Sequence, residues 1–231
     1  MKGITLIKEE VLGANLELLS SGLVKLTWGN ASAIDRESGK VYIKPSGLSY
    51  SDMTIDSIVE LDLNSGESAD SLKPSSDTPT HLYLYQCFPQ IGGIVHTHSP
   101  WATAWAQACR EIPCLGTTHA DYFYGPVPIT RALTSAEIEN SYEKNTGIVI
   151  EERFKSENPL EIPGVLVAEH GPFTWGKDLN EAVKHAIILE EIAKMAFHTI
   201  QLGKDWPVQE ALLDKHYQRK HGPNASYGQK T

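Results

Sequence analysis

The chain has 231 residues, of which 41% are hydrophobic and 21% charged, as is usual for a globular protein with a real core. A net charge of −9 argues against nucleic-acid binding, which needs a basic face. The sequence shows no signal peptide, no apolar run near the ~20 residues of a membrane span and no low-complexity linker, and its three cysteines argue against a disulfide framework. We therefore expect a cytoplasmic protein without a nucleic-acid or membrane partner.

Apolar periodicity and turn residues predict the secondary structure in chain order. A helix from Ile4 to Ser20 is followed by strands at 26–34, 40–44 and 58–63, a helix at 80–88, a strand ending near residue 98 and a helix at 100–109. A proline-rich stretch precedes a helix at 135–146 with Ser135 as N-cap, strands at 147–154 and 164–170, and helices at 180–200 and 206–220. This order predicts helices on a mixed sheet with much antiparallel pairing.

The segment 92–99, Gly-Gly-Ile-Val-His-Thr-His-Ser, carries the clearest chemical signal. Side chains alternate along a strand, so His96 and His98 lean to the same side at its end. Neutral imidazole is the commonest zinc ligand, and the pair forms half of a metal site. The alternative is two histidines whose ring nitrogens are satisfied by backbone groups.

Further metal ligands are expected near other turns of the chain. His170 ends a second apolar run and precedes Gly171-Pro172. Asp77 precedes a helix start that contains Pro79 and His81, so it is either a metal ligand or a plain helix N-cap. Cys87, Cys109 and Cys114 show no zinc-type spacing.

The segment 171–178, Gly-Pro-Phe-Thr-Trp-Gly-Lys-Asp, nearly matches a P-loop. Asp178 replaces the hydroxyl that would hold Mg²⁺, and Pro172 lacks a backbone N–H. We interpret the segment as an aromatic-rich β-turn. Because no G-x-G-x-x-G occurs, the chain also offers no Rossmann nicotinamide site.

Three short polar clusters are better candidates for holding an oxyanion: 28–30, 44–47 and 73–77. They combine glycine, serine or asparagine, and two add a lysine, so they offer backbone N–H, hydroxyl and ammonium donors. Each alone is equally well an ordinary turn. The third leads directly into Asp77, and donors beside a metal site predict a small phosphorylated substrate.

The segment 116–125 places titratable groups among aromatic residues. Burial among rings raises the pKa of a carboxyl group, which makes Asp121 a candidate general acid or base. The alternative is an aspartate that caps a turn.

Six blocks together carry a family resemblance: 27–30, 43–47, 74–81, 92–98, 116–122 and 213–217. In this order they strongly resemble the sugar-phosphate epimerase branch of the zinc-dependent class II aldolase/adducin family. The resemblance implies an α/β fold, a three-layer α/β/α sandwich around a largely antiparallel mixed sheet, as a single domain over 1–231. It also implies a cyclic homotetramer with shared active sites, in which the tail 220–231 contributes to a neighbouring site.

The site residues follow from matching motif to motif. The resemblance implies one Zn²⁺ per subunit, replaceable by other divalent metals, with the ligands Asp77, His96, His98 and His170. It implies substrate and phosphate contacts at Gly29, Asn30, Lys44, Ser46, Gly47, Ser75, Ser76, Thr117 and Glu143. It implies Asp121 and Tyr227 as the acid/base pair, with His216 close to the reacting groups.

The implied reaction interconverts L-ribulose 5-phosphate and D-xylulose 5-phosphate by retro-aldol cleavage of C3–C4 and re-addition, in L-arabinose catabolism. Two rivals lie within the family: an epimerase of a related pathway, such as ascorbate breakdown, and a class II aldolase. Such aldolases carry a glutamate where this chain has Asp77, which favours the epimerase. A non-enzymatic adducin-like module is the third rival, and we expect it to lack the zinc ligands.

Overall fold

The computed structural model describes residues 3–223 and residue 225. Its centre is a six-stranded sheet with the order β3-β2-β1-β4-β6-β5. All five pairings between these strands are antiparallel. The strands are β1 Asn30–Asp35, β2 Lys40–Ile43, β3 Val59–Asp62, β4 Gly93–His96, β5 Gly164–Leu166 and β6 Pro172–Gly176.

Eight α-helices flank the sheet within the described residues. They are α1 Ile4–Ser20, α2 Thr78–Cys87, α3 Pro100–Gln107, α4 Thr117–Ala120, α5 Ser135–Glu139, α6 Tyr142–Arg153, α7 Leu179–Gln201 and α8 Glu210–His221. Two short 3-10 turns lie at Tyr50–Asp52 and Ile55–Ser57. No helix in the described part of the chain is long and apolar enough to cross a membrane.

The two faces of the sheet bury separate apolar clusters, as strand alternation requires. On β4, Ile94 belongs to the cluster that includes α2, α3 and α6, whereas Val95 belongs to the cluster that includes α1. Helices on both faces of an antiparallel sheet confirm the predicted three-layer α/β fold. The named strands pair antiparallel, and a parallel bridge joins Ile129 to Leu166 of β5, so the sheet is largely antiparallel as predicted.

The helix α1 has the predicted bounds because Ile7, Val11 and Leu18 recur at helical spacing and are all buried. Asn15 is buried beside them. Its side chain donates to the Ala31 carbonyl over 3.2 Å and accepts from the Ala31 N–H over 3.0 Å. This paired contact fixes α1 against β1.

The strand β4 lies between β1 and β6, and its register positions the first histidine. His96 stands opposite Asn30 on one side and Phe173 on the other. Gly93 permits close contact with α7, since a Cβ there would lie 2.4 Å from the Cα of Leu179. The strand that ends in the His-x-His motif is therefore held on both edges and on one face.

Three sequence predictions in the second half of the chain were wrong. The predicted strand 147–154 is part of α6, because Thr146, Gly147 and Ile150 form a buried helical stripe and Gly147 lies against Tyr83 of α2. The predicted helix 135–146 is split, and the N-cap of its first part is Thr134, which forms a capping box with Glu137. The segment 171–178 holds strand β6 rather than a β-turn, and Asp178 caps α7.

Other bounds differ at element ends. The first strand begins at Asn30 instead of residue 26, and β4 ends at His96 instead of near residue 98. The strand predicted to reach His170 ends at Leu166, and α8 begins at Glu210 instead of residue 206. His170 therefore lies in the turn between β5 and β6.

Candidate metal centre and active site

Three histidines converge at the end of β4. His96 ends the strand, His98 follows two residues later, and His170 comes from the turn before β6. One ring nitrogen from each lies within 4.8 Å of the others. His96 is buried, His170 half-buried and His98 exposed, so the cluster opens to solvent on the His98 side. Three protein ligands with one open side are typical of catalytic zinc sites.

The ring nitrogens of these histidines are arranged as ligands. Nδ1 of His96 lies 2.9 Å from the Pro172 carbonyl, and its Nε2 faces Nε2 of His98 at 3.1 Å. That separation is close to the roughly 3.3 Å between two nitrogens bound tetrahedrally to zinc at about 2.0–2.1 Å. Nδ1 of His170 lies 3.2 Å from the hydroxyl of Tyr142, which leaves its Nε2 for a ligand. The donor set therefore fits a divalent cation.

Burial keeps the imidazoles of His98 and His170 neutral at physiological pH. It lowers the pKa of His170 to about 3, with further lowering by His96 and His98. Burial and the neighbouring His96 also lower the pKa of His98. A metal binds the neutral imidazole, so no proton has to be displaced from either ring near pH 7.

Asp77 stands beside this cluster rather than within the group of three histidines. It occupies the N-cap position of α2, but its side chain forms no capping hydrogen bond. Its Oδ2 instead accepts from the side-chain amide of Asn30 over 2.7 Å. Burial raises the pKa of Asp77, but the electrostatic influence of the nearby His96 and His81 rings and the Asn30 bond outweigh it and lower the pKa overall. Asp77 as a fourth ligand stays a prediction.

The three polar clusters predicted to hold phosphate meet beside the metal centre. Clusters 44–47 and 73–77 pair as a short bridge, in which Ser46 N–H donates to the Lys73 carbonyl and Ser75 N–H to the Lys44 carbonyl. The amide of Asn30 donates to Ser75 Oγ over 3.0 Å. A Cβ at Gly29 would lie 2.8 Å from the carbonyl oxygen of His96, so glycine is needed at this close approach.

Lys44 is buried under these turns, with its ammonium group 4.9 Å from the centre of the Tyr50 ring. It donates to the carbonyls of Thr27 and Pro45 over 3.4 and 3.3 Å. Burial lowers the pKa of Lys44. Ser46, Gly47 and Ser76 are exposed on the same turns.

Asp121 lies at the C-terminal end of α4 and is surrounded by basic side chains of α8. Its carboxylate is 2.9 Å from Nδ1 of His216, 3.0 Å from the Arg219 guanidinium and 3.3 Å from the Lys220 ammonium group. Burial raises the pKa of Asp121, but the bonds with His216, Lys220 and Arg219 outweigh it and lower the pKa overall. The expectation of a raised pKa was wrong, and the group is a firmly ionised carboxylate.

The structure places the remaining predicted residues in two groups. His216 and Thr117 belong to the Asp121 group, since α4 begins at Thr117 and packs on α8. The second group contains Glu143, which follows Tyr142 in the chain. The backbone carbonyl of Glu143 accepts a hydrogen bond from Oγ1 of Thr80 in α2. Among the described residues, no hydrogen bond or ion pair joins Asp121 to the three histidines. Tyr227 lies outside the described residues.

The sequence profile of the Class II Aldolase and Adducin N-terminal domain matches residues 9–197. The chain belongs to this family. Two similar proteins of the class II aldolase/adducin family are L-ribulose-5-phosphate 4-epimerases UlaF. The one from Salmonella paratyphi C is 53% identical over 225 residues, which are 97% of this chain and 99% of that protein. The one from Salmonella typhi is 53% identical over 226 residues, again 97% and 99% of the two chains.

Solved structures of the family share the fold. An L-fuculose 1-phosphate aldolase with 25% identity superposes with a TM-score of 0.78, over 92% of this chain and 95% of that chain. The L-fuculose 1-phosphate aldolase from Glaciozyma antarctica has 15% identity and a TM-score of 0.77, over 97% and 87% of the two chains. The second likeness supports the class II aldolase fold alone.

One residue of the site has no signal in the sequence. Tyr142 reaches His170 across 28 positions of the chain, and no motif indicates it. Burial and the nearby charge of Asp77 raise the pKa of Tyr142, so the phenol is protonated near pH 7. His81, in contrast, is buried against Ser32 Oγ at 2.7 Å and is not one of the three clustered histidines.

Proposed function

We propose that the protein is a metal-dependent L-ribulose-5-phosphate 4-epimerase, which interconverts L-ribulose 5-phosphate and D-xylulose 5-phosphate. The observation that carries the proposal is the cluster of His96, His98 and His170 in a chain 53% identical to proteins named for this activity. The polar turns around Asn30 and Ser75 support a phosphorylated substrate, because they offer donors beside the cluster.

The reaction inverts the configuration at C4, a position that enolisation of the C2 carbonyl cannot reach. C4–H of the substrate is not adjacent to the C2 carbonyl, and the chain has no nicotinamide motif for an oxidation and re-reduction. The remaining route breaks the C3–C4 bond as a base removes the C4 hydroxyl proton. The aldehyde fragment then turns and bonds through its other face, while an acid returns a proton to the new C4 hydroxyl.

The three histidines, with Asp77 as the proposed fourth ligand, would hold the cation. When bound, a divalent cation supplies Lewis-acid stabilisation of the negative charge that cleavage leaves on the ketone fragment. Zinc is the proposed metal because the donors are imidazole nitrogens and a carboxylate.

The polar turns are proposed to hold the phosphate of the aldehyde fragment while it rotates. Asn30, Ser75, Ser76, Ser46 and Gly47 provide amide, hydroxyl and backbone donors. Lys44 is buried beneath them and adds a positive charge close to the turn backbone. A phosphate held this way keeps the fragment from leaving before it is re-added.

We propose Asp121 and Tyr227 as the two proton-transfer groups, with His216 beside Asp121, and a homo-oligomer in which subunits share active sites. Within one chain, Asp121 has no hydrogen bond or ion pair to the three histidines in the part that the structure describes. A neighbouring copy would bring its Asp121 group to the cluster, and a cyclic tetramer provides such a contact at every site.

The two rivals within the family differ in their products. A class II aldolase would release dihydroxyacetone and glycolaldehyde phosphate, and the likeness to L-fuculose 1-phosphate aldolase is the observation that favours it. The L-arabinose pathway is proposed as the context of the epimerase. The names of the relatives state the activity and not the pathway, so a related route remains the alternative.

The test is incubation of the purified protein with L-ribulose 5-phosphate, with and without prior removal of metal by a chelator. We expect D-xylulose 5-phosphate to form and the activity to return when zinc is added back. Accumulation of glycolaldehyde phosphate without the epimer would establish the aldolase instead. No conversion by metal-loaded protein of this or related ketose phosphates would contradict both enzymatic functions.

A further inference from the structure

Tyr142 contacts the metal centre through one atom. Its hydroxyl oxygen lies 3.2 Å from Nδ1 of His170, and the two rings are 6.0 Å apart between centroids with a tilt of 34°. Tyr142 is the first residue of α6, and Ser141 before it has a left-handed backbone with φ 60° and ψ 50°. A serine rarely adopts that conformation, which is strained for residues other than glycine. The turn thus brings the phenol to the imidazole at a cost in backbone strain.

The contact decides which nitrogen of His170 can act as a ligand. A neutral imidazole carries one proton, and a metal takes the nitrogen without it. With Nδ1 directed at the Tyr142 oxygen, Nε2 is left to face His96 and His98. His96 is arranged in the same way, because its Nδ1 lies 2.9 Å from the Pro172 carbonyl.

We propose that Tyr142 is a positioning residue, which fixes the tautomer and the ring plane of His170 and thereby strengthens metal binding. The inference rests on the metal site of the proposed function. In the metal-bound form, Nδ1–H of His170 donates to the Tyr142 oxygen. Partners of this kind around a ligand histidine typically account for 10–100-fold in metal affinity.

The test measures metal affinity, independently of turnover. Metal-free protein is titrated with Zn²⁺ against a chromophoric chelator, and Co²⁺ is used to record the absorption of the bound ion. We expect Tyr142→Phe to weaken Zn²⁺ binding by about 10–100-fold and to change the Co²⁺ spectrum. The melting temperature of the metal-free variant should stay close to that of wild type, since the aromatic ring remains.

Tyr83→Phe is the matched control. Tyr83 of α2 packs with its ring against Gly147 of α6, the helix that begins at Tyr142, so the variant removes a hydroxyl group, leaves this ring contact in place and changes no histidine of the centre. Its Zn²⁺ affinity should equal that of wild type. Equal loss in both variants would mean that Tyr142 acts only through packing and would overturn the inference.

A double-mutant cycle tests whether Tyr142 acts through His170. Once His170→Asn has removed the ligand, adding Tyr142→Phe should cause no further loss of Zn²⁺ affinity. Independent, additive losses would contradict the proposal. In zinc-loaded wild type, nitrogen NMR should show the proton of His170 on Nδ1, and a proton on Nε2 would overturn the inference without any variant.

These results separate the inference from the proposed function. A protein that binds zinc, weakens as expected on Tyr142→Phe and converts no ketose phosphate would retain the positioning role and lose the epimerase assignment. Epimerase activity in wild type, together with unchanged zinc affinity in Tyr142→Phe, would retain the epimerase assignment and contradict the positioning role.

Discussion

The side-chain amide of Asn30 donates to Oδ2 of Asp77 over 2.7 Å and to Oγ of Ser75 over 3.0 Å. One amide group thus joins the carboxylate beside the metal centre to a turn proposed to bind phosphate. It stands at the first position of β1, opposite His96. We therefore expect binding of the substrate phosphate and binding of the metal to depend on the same residue, Asn30.

Asn30→Ala should lower kcat/KM for L-ribulose 5-phosphate by roughly ten- to a hundred-fold, because a hydrogen bond to a charged group contributes about 1.5–3 kcal/mol. Asn140→Ala is the control, since among the described residues that exposed amide donates only to the carbonyl of Ala136. Steady-state kinetics of both variants measure the effect. Wild-type kinetics in Asn30→Ala would mean that this turn does not contribute to binding or turnover of the substrate.

His96→Asn or His98→Asn should reduce epimerase activity by orders of magnitude and the bound metal to a small fraction of wild type, because each removes an imidazole ligand. Far-ultraviolet circular dichroism should show the same fold. His198→Asn changes an exposed histidine of α7 and should retain both metal and activity. Turnover near wild type in both ligand variants, together with resistance to chelators, would rule out the metal-dependent mechanism.

Epimerisation in deuterated water should leave the hydrogen on C4 unexchanged, because in the retro-aldol route it stays on the aldehyde fragment throughout. Proton NMR of the D-xylulose 5-phosphate formed gives the measurement. Non-enzymatic controls without protein establish the background exchange. Deuterium at C4 that appears with turnover would require a different mechanism.

Mixed oligomers of His96→Asn and Asp121→Asn should recover activity that neither variant has alone. If each site combines the histidines of one subunit with Asp121 of another, random mixing regenerates up to about a quarter of the sites. Co-expression with two different tags, followed by tandem purification, isolates the mixed species. Mixed oligomers as inactive as their parents would place Asp121 in the site of its own subunit or outside catalysis.

The stability of the metal-free protein should fall as the pH drops from about 6.5 to about 4. Burial lowers the pKa of His119 from 6.5 to about 4, so the unfolded chain binds a proton before the folded one does. The folded state is favoured above the unfolded pKa and loses about 3 kcal/mol from this group as the pH approaches the folded value. Below that value both states are protonated and the loss ends.

Urea unfolding between pH 4 and pH 7.5 measures this dependence. His119→Asn should show a pH-dependent loss smaller by about 3 kcal/mol, whatever its stability at pH 7.5. The exposed His198→Asn should keep the wild-type slope. An identical slope in His119→Asn would mean that the buried imidazole titrates normally.

Long periodic elements and local motifs were predictable from the sequence. The helix α1 has the predicted bounds, and β4 carries His96 at its end as the alternation of side chains indicates. The Gly-Ile-Val-Ile run at 147–150 has the composition of a strand, yet it lies in α6 because packing on α2 outweighs its local preference. Short apolar runs do not distinguish these two outcomes.

Contacts between distant parts of the chain were not predictable in the same way. The aromatic neighbours of Asp121 in sequence indicate a raised pKa, but His216, from 95 positions away, reverses the direction together with Lys220 and Arg219. The contact between Tyr142 and His170 depends on where two turns meet, which no local pattern encodes. The histidine pair was predictable because His96 and His98 lie two residues apart at the end of an apolar strand, where side-chain alternation turns them to the same side.

The pairing of β4 with a strand on each edge has a consequence for how the centre responds to metal loss. For the backbone of His96 to leave the sheet, the hydrogen bonds of β4 to both β1 and β6 would have to break, and Gly93 would have to separate from α7. Such an opening approaches global unfolding in free energy, so the amides of β4 belong with the slowest exchanging ones. We therefore expect the backbone of His96 to keep its place in the metal-free protein, so that a returning ion finds this proposed ligand already in position.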